Sequence, residues 1–396
     1  MLSIVFIKME DTMGKKVEKG ILHRLIIVVI LICFGVFLYF FNQVDKAQLI
    51  NREGTSYVKA EVVNIVQDNI QDDGSRTGYQ IVKVKILQGE YKGEEIEATS
   101  ASGYLYGADC KEGMTVVVNL SVSGDTKVAS VFNYNREPMI IGFVVFFLAL
   151  LVAVGGKKGL FSGISLIFTF ICIIFLFLPM LYKGYSPFLS AVLVVVLTTI
   201  VTMYLIGGIS KKTISSILGT VIGVVIAGLF AQVFGYFAHI DGYNVSEIEE
   251  LVFIANNSEL QIGGLLFAGI LISSLGAVMD VSMSVASTIN EIHDKNPDLS
   301  RYELFKSGIN VGRDMMGTMS NTLILAFTGG SINTLIWFYA YDLSYGQIIN
   351  MYQIGIEVMQ GLSGTSAIIL TVPIVALISS FLLTTNVQIG DKKKAA

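Results

Sequence analysis

Polar and small residues from Gly269 to Glu291 recur at intervals of three and four positions in an otherwise apolar stretch. They are Gly269, Ser273, Gly276, Asp280, Ser284, Ser287 and Glu291. This spacing places them along one face of an α-helix. A carboxylate at the centre of a membrane helix costs about 2.5–3.5 kcal/mol on insertion scales, so Asp280 needs a partner, water or a proton. Asp280 is therefore a candidate for binding a proton or a cation.

A second polar face follows on the next predicted helix. It contains Asn310, Asp314, Gly317 and Asn321, with Arg313 and Thr318 beside them. Between the two faces, Asn296-Pro297 breaks the chain, and Ser300 with Glu303 forms a capping box that begins the second helix. The pattern predicts a helical hairpin.

If the hairpin is antiparallel and tight, Asp280 lies opposite Arg313 and Asp314. The same register places Ser284 opposite Asn310 and Ser273 opposite Asn321. Whether Asp280 is ionised depends on which of its two charged neighbours lies closer, and the sequence leaves both open.

These residues form the predicted transport or ion-responsive site: Asp280, Ser284, Ser287, Asn310, Arg313, Asp314, Thr318 and Asn321. The alternative is that the polar groups only hold two helices together. Hydrogen bonds between membrane helices average about 0.6 kcal/mol, and Ser or Thr suffices for them, so an Asp favours function. Glu357, among Ile, Val and Met, is interpreted as a surface-facing residue.

The sequence lacks the residue combinations that known catalytic sites require. Gly361-Leu362-Ser363-Gly364 matches the G-x-S-G pattern of intramembrane serine proteases, but the three His residues all precede Ser363 and none is positioned as its base. No zinc-binding cluster, P-loop or dinucleotide fingerprint is present in the sequence. We therefore expect no enzymatic activity, no cofactor, no metal site and no nucleic-acid partner.

The composition predicts the elements that carry these residues. The chain is 53% hydrophobic and 15% charged, with a mean hydropathy of +0.67, which is typical of a polytopic α-helical membrane protein. About eight apolar spans are predicted, at residues 22–42, 138–154, 159–181, 187–208, 213–237, 263–289, 317–340 and 363–385. Gly159 with Gly163, and Gly219 with Gly223, indicate close helix packing.

Basic residues predict the orientation of the spans. If all the spans cross, 16 Lys and Arg residues fall on one side, whereas the short loops of the other side contain only Lys183. Both termini are then cytoplasmic, and residues 43–137 lie outside. Four parts are predicted along the chain. Residues 1–42 form a cytoplasmic N-terminus with the first helix, and residues 43–137 form a β domain. Residues 138–386 form a seven-helix membrane domain with two external amphipathic segments, and residues 387–396 form a cytoplasmic basic tail. Met1 and Met13 are both possible starts.

Residues 43–137 carry five alternating segments, at 57–65, 80–87, 94–98, 115–120 and 127–132, with a turn signal at Asp73-Gly74. They predict a small extracytoplasmic all-β barrel of the OB or SH3 kind, serving as a structural cap or as a module for a ligand or partner. Two amphipathic external helices are predicted at 246–256 and 344–360. Their capping pairs are Ser246 with Glu249 and Ser344 with Gln347.

The stretch from Gly276 to Gly330 resembles the YibE/F family of bacterial multi-span proteins. Tyr134, Arg136 and the Gly-Lys-Lys-Gly loop at 156–159 support the resemblance, which covers residue 130 to the end. It implies an architecture and a bacterial cell membrane, but no substrate or catalytic residues. A weaker likeness is to the SecD/SecF and RND permeases, where an Asp in the corresponding span is tied to proton movement; here that role would fall on Asp280, with Thr318 and Thr322 opposite. Two extra spans and a smaller external domain depart from that pattern.

Together these observations predict an ion-coupled transporter or permease subunit, with the proton as the candidate coupling ion. Its partners would be the lipid bilayer and a small solute or ion, with a second membrane protein as a further candidate. The alternative is a non-transporting scaffold or accessory protein whose external β domain binds a partner.

Overall fold

The computed structural model describes residues 32–44, 46–47, 49, 53–72, 76–101, 103, 105–245 and 247–385. The predictions of a start at Met13, of a basic N-terminal segment, of a turn at Asp73-Gly74 and of a basic tail at 387–396 lie outside these residues. Contacts divide the described chain into two compact units, one within 48–154 and one comprising the helices of the remainder.

The first unit contains a closed five-stranded barrel with the strand order β1-β2-β3-β5-β4. The strands are β1 (Thr55–Gln67), β2 (Tyr79–Ile86), β3 (Glu95–Ala101), β4 (Thr115–Ser123) and β5 (Thr126–Tyr134). All pairs are antiparallel except β3 with β5. Alternate residues of each strand point inward, and Val, Ile, Leu and Ala fill the interior. The predicted barrel is confirmed.

Gln80 fixes a non-strand segment to the interior of the barrel. Its side-chain amide donates to the carbonyl oxygen of Cys110 at 3.1 Å, and the Cys110 amide donates back to Gln80 Oε1 at 3.0 Å. Ser100 acts in the same way on Ala108, donating from Oγ at 2.6 Å and accepting from its amide at 2.9 Å. Because these polar atoms are paired, the segment before β4 is buried at low cost.

The helices begin with α1 (Ile32–Phe41) before the barrel. After the barrel come α2 (Glu137–Cys172), a π-helical turn (Ile173–Phe177), α3 (Leu178–Tyr182), α4 (Pro187–Gly207), α5 (Lys211–Ala238) and α6 (Ile248–Asn256). The chain continues with α7 (Leu265–Lys295), α8 (Arg301–Gly330), α9 (Ile332–Ala340), α10 (Tyr345–Ile349) and α11 (Tyr352–Thr384).

In the described residues, five helical stretches are long and apolar enough to cross a membrane, or up to six if α8 and α9 are one bent span. This indicates a multi-pass membrane protein, but the predicted count of about eight is not confirmed. The predicted second and third spans form one helical stretch, Glu137–Tyr182, interrupted by the non-helical backbone of Gly156 (φ 54°, ψ −133°). The predicted seventh span bends by 59° between α8 and α9.

The two predicted amphipathic segments have different outcomes. The first is the separate helix α6, although Ser246 lies outside the described residues. The second is divided, because α10 ends at Ile349 and the following residues already belong to α11. The capping box of Ser344 with Gln347 is confirmed. The predicted segment 344–360 is therefore a short helix followed, after Asn350 and Met351, by the first turns of the long helix α11.

Small residues bring α5, α7 and α11 together in the helical unit. Gly219 contacts Val375, and Gly223 contacts both Thr371 and Val278, so closely that an added Cβ at either glycine would overlap the neighbouring side chain. The close packing predicted for this glycine pair is confirmed, and it draws α7 into the centre of the bundle.

Candidate functional site

The predicted hairpin is present and is formed by α7 and α8. Ser300 accepts a hydrogen bond from the Glu303 amide at 3.3 Å, and Glu303 Oε2 accepts one from the Ser300 amide at 2.8 Å, which completes the predicted capping box. Ile289 of α7 packs against Gly308 of α8. In the predicted register Ile289 would face Phe305, so the observed contact lies about one helical turn further along α8.

Asp280 lies on a side of α7 that the other described residues leave uncovered. Gly269, Ser273 and Gly276 share this exposed line with it, and no neighbouring atom lies within 4 Å of a Cβ built on either glycine. Further along the same face, Ser284 and Ser287 are half-buried. The predicted polar face is thus open at Asp280 and partly covered towards the hairpin turn.

The polar residues of α8 are uncovered as well. Its packed side carries Leu304, Gly308 and Gly312, which are buried against α7 and α11. The opposite side presents the predicted residues, all of them exposed: Asn310, Arg313, Asp314, Thr318 and Asn321. We call these five residues together with Asp280, Ser284 and Ser287 the polar face.

The structure does not join the charged members of the polar face. Among the described residues, Asp280, Arg313 and Asp314 take part in no side-chain hydrogen bond or salt bridge. The Thr318 hydroxyl donates to the Met315 carbonyl at 3.0 Å, which is a bond within its own helix. In the described chain the charged groups of the polar face are therefore exposed and unpaired, and they form no internal ion-pair network.

This arrangement has an electrostatic consequence in a membrane. Carboxylate, guanidinium and amide groups cannot face hydrocarbon without a large penalty. Since the described chain does not cover them, they must meet water, snorkel to the membrane surface, or contact another protein. The polar face can accordingly line an aqueous path or form a polar interface.

Two further groups of polar residues were missed by the sequence analysis. Hydroxyl groups of Thr220, Ser282 and Ser379 are buried in the bundle without a hydrogen-bond partner in the described part of the chain. Glu357, interpreted from the sequence as a surface-facing residue, is half-buried and lines a cavity in the helical unit. The burial of these hydroxyl groups and the position of Glu357 both depend on how helices distant in the chain pack. The one signal in the sequence is the abundance of Ser and Thr in the apolar spans.

The sequence profile of the family described as YibE/F-like protein matches residues 143–385. The chain belongs to the YibE/F family. The matched residues include α7, α8 and the whole polar face, whereas the β-barrel of this YibE/F protein precedes them. Comparison with curated proteins and with solved structures finds no match.

Proposed function

We propose that this YibE/F protein is an ion-coupled transporter or permease subunit in a bacterial cell membrane. In this proposal both termini are cytoplasmic, the barrel is outside, and Asp280 is the proton- or cation-responsive carboxylate. The observation that carries the proposal is the polar face itself. It runs along two membrane-domain helices and includes three charged side chains with no bonding partner in the described chain.

Transport requires that water reaches the polar face. A variant with Cys33, Cys110 and Cys172 replaced by Ser would receive a single cysteine, either Thr318→Cys on the polar face or Leu193→Cys as the control. Leu193 is 49% exposed on the apolar helix α4. A membrane-impermeant maleimide should label the first variant in proteoliposomes and leave the second unlabelled.

The role of Asp280 is tested by proton movement. Full-length protein would be reconstituted in liposomes containing a pH-sensitive dye, and proton flux would be measured under an imposed gradient. Asp280→Asn should reduce the flux about tenfold or more, because the side chain can no longer exchange a proton. Asp298→Asn, in the exposed linker between α7 and α8, is the matched control. Equal flux in wild type and Asp280→Asn would remove Asp280 from the mechanism.

The second candidate is a scaffold or accessory protein that binds a membrane partner. One observation favours it: the polar face is uncovered on the single chain, as an interface would be before assembly. In that case the cysteine at position 318 resists labelling in the native membrane and becomes reactive once the partner dissociates. Deletion of residues 43–137 would then abolish function, whereas Asp280→Asn would only lower stability.

A further inference from the structure

A cavity of about 480 Å³ lies in the helical unit beside the break between α8 and α9. Its wall includes Thr328 at the end of α8, Leu335 of α9, Glu357 of α11 and Leu266 near the start of α7. Asp280 lies fourteen residues after Leu266 on α7, or roughly 21 Å along a helix. The cavity is therefore separate from the charged part of the polar face.

The charge of the cavity wall has one sign. Glu247 and Glu357 line it, while the described residues that line it include no Lys, Arg or His. Neither carboxylate forms a hydrogen bond or salt bridge with another described side chain. A solute with a positive charge would therefore be attracted here, whereas an anion would be repelled.

The rest of the wall is mostly apolar, with a few polar groups. Leu266, Ile324 and Phe327 contribute hydrocarbon surface, and an aromatic ring adds attraction for a cation. The side chains of Thr328 and Gln353 add polar groups to this wall. Cavities of this size, apolar with a few oriented polar groups, are typical of small-molecule sites.

The cavity lies across the break between two helices. Because α8 ends at Gly330 and α9 leaves at an angle of 59° to it, the wall is formed by residues on both sides of the break. Discontinuous helices supply substrate sites in many secondary transporters. We propose that this cavity binds an amphipathic organic cation, with Glu357 as the counter-ion. The claim that such a cation is the transported substrate rests on the proposed function. The claim that the cavity binds it does not.

Binding can be measured without transport, by titrating full-length protein in detergent with tetraphenylphosphonium. The isosteric anion tetraphenylborate controls for partition into apolar surroundings. Wild type should bind the cation and show no saturable binding of the anion. Glu357→Gln should weaken cation binding about tenfold or more, because it removes the counter-ion. Glu250→Gln, an exposed residue of α6 outside the cavity, should leave binding unchanged.

A second variant covers the case that Glu357→Gln does not fold. No atom lies within 4 Å of a Cβ built on Gly361, which lines the cavity, so Gly361→Leu fills the space without a backbone clash. It should abolish cation binding. Equal binding of both ions, or unchanged binding in these two variants, would overturn the proposal and leave an unselective apolar cavity. Cation binding by wild-type protein that shows no proton flux in liposomes would retain the site and reject the transport function.

Discussion

Ile289 of α7 reaches the backbone of Gly308 in α8, and a methyl group added at Gly308 would lie 2.5 Å from Ile289 Cδ1. The same methyl group would lie 2.9 Å from Ala376 Cβ of α11. Three helices thus meet where only a hydrogen atom fits, and this contact holds the α7–α8 hairpin against the bundle.

Gly308→Ala should destabilise the helical unit. Ala376 Cβ cannot rotate away, so α8 would have to move from α11, and overpacking of this kind costs about 1–3 kcal/mol. Gly317→Ala is the matched control, since it lies on the same helix with no atom within 4 Å of the added Cβ. Thermal unfolding in detergent should show a lower midpoint for Gly308→Ala only. An equal midpoint in both variants would contradict the packing described for α8.

Cys110 should be unreactive in the folded barrel. Its side chain is 0% exposed, and burial raises the pKa of its thiol, so little thiolate reaches solvent. With Cys33 and Cys172 replaced by Ser, maleimide labelling of Cys110 at pH 8 should be slower than labelling of an exposed thiol by about a hundredfold or more. Ser123→Cys combined with Cys110→Ser supplies that exposed thiol. Rapid labelling of Cys110 in native protein would argue against the closed barrel.

The Lys83–Glu95 pair between β2 and β3 should make barrel stability depend on pH. Lys83 Nζ lies 2.8 Å from Glu95 Oε2, and this hydrogen bond holds the pKa of Glu95 below its ordinary 4.5. Because the folded-state pKa is lowered, the stabilisation is present above pH 4.5 and is lost as the pH falls through the lowered value. Both side chains are 42% exposed, so the effect is small.

Hydrogen exchange of β2 and β3 peptides measures this dependence. At pH 7, Glu95→Gln should reduce protection slightly, and the difference from wild type should disappear in acid, when Glu95 is protonated. Glu90→Gln, an exposed substitution in the connection between β2 and β3 and outside the ion pair, should have less effect. A difference between wild type and Glu95→Gln that is constant with pH would exclude the ion pair as its cause.

Local sequence patterns predicted the barrel, the α7–α8 hairpin and its capping box because each depends on residues close together in the chain. The span count was less predictable. The second and third predicted spans meet at Gly155-Gly156-Lys157-Lys158 with no loop between them, and only the non-helical backbone of Gly156 separates the two helices. The cavity at Glu357 required the packing of α11 against the end of α8, which the order of residues in the chain does not encode locally.

The candidate site was partly predictable for the same reason. Helical periodicity grouped Asp280 with Ser273 and Gly276 on α7, and it grouped Asp314 with Asn321 on α8. It could do so because periodicity reports which residues share a face of one helix. It does not report what covers that face. The expectation that Arg313 or Asp314 would face Asp280 therefore remains a prediction, since the described chain forms no bond between them.

Closure of the barrel limits how the β domain can recognise another molecule. In β1-β2-β3-β5-β4, the pairing of β1 with β4 gives every strand two neighbours, and the shortest seam is the three-residue pairing of β3 with β5. An extended peptide therefore finds no strand of this sheet with a wholly free edge to join. Any partner of this domain must be selected by side chains on its outer surface or by its connecting loops, and substitutions there can change the partner without disturbing the barrel.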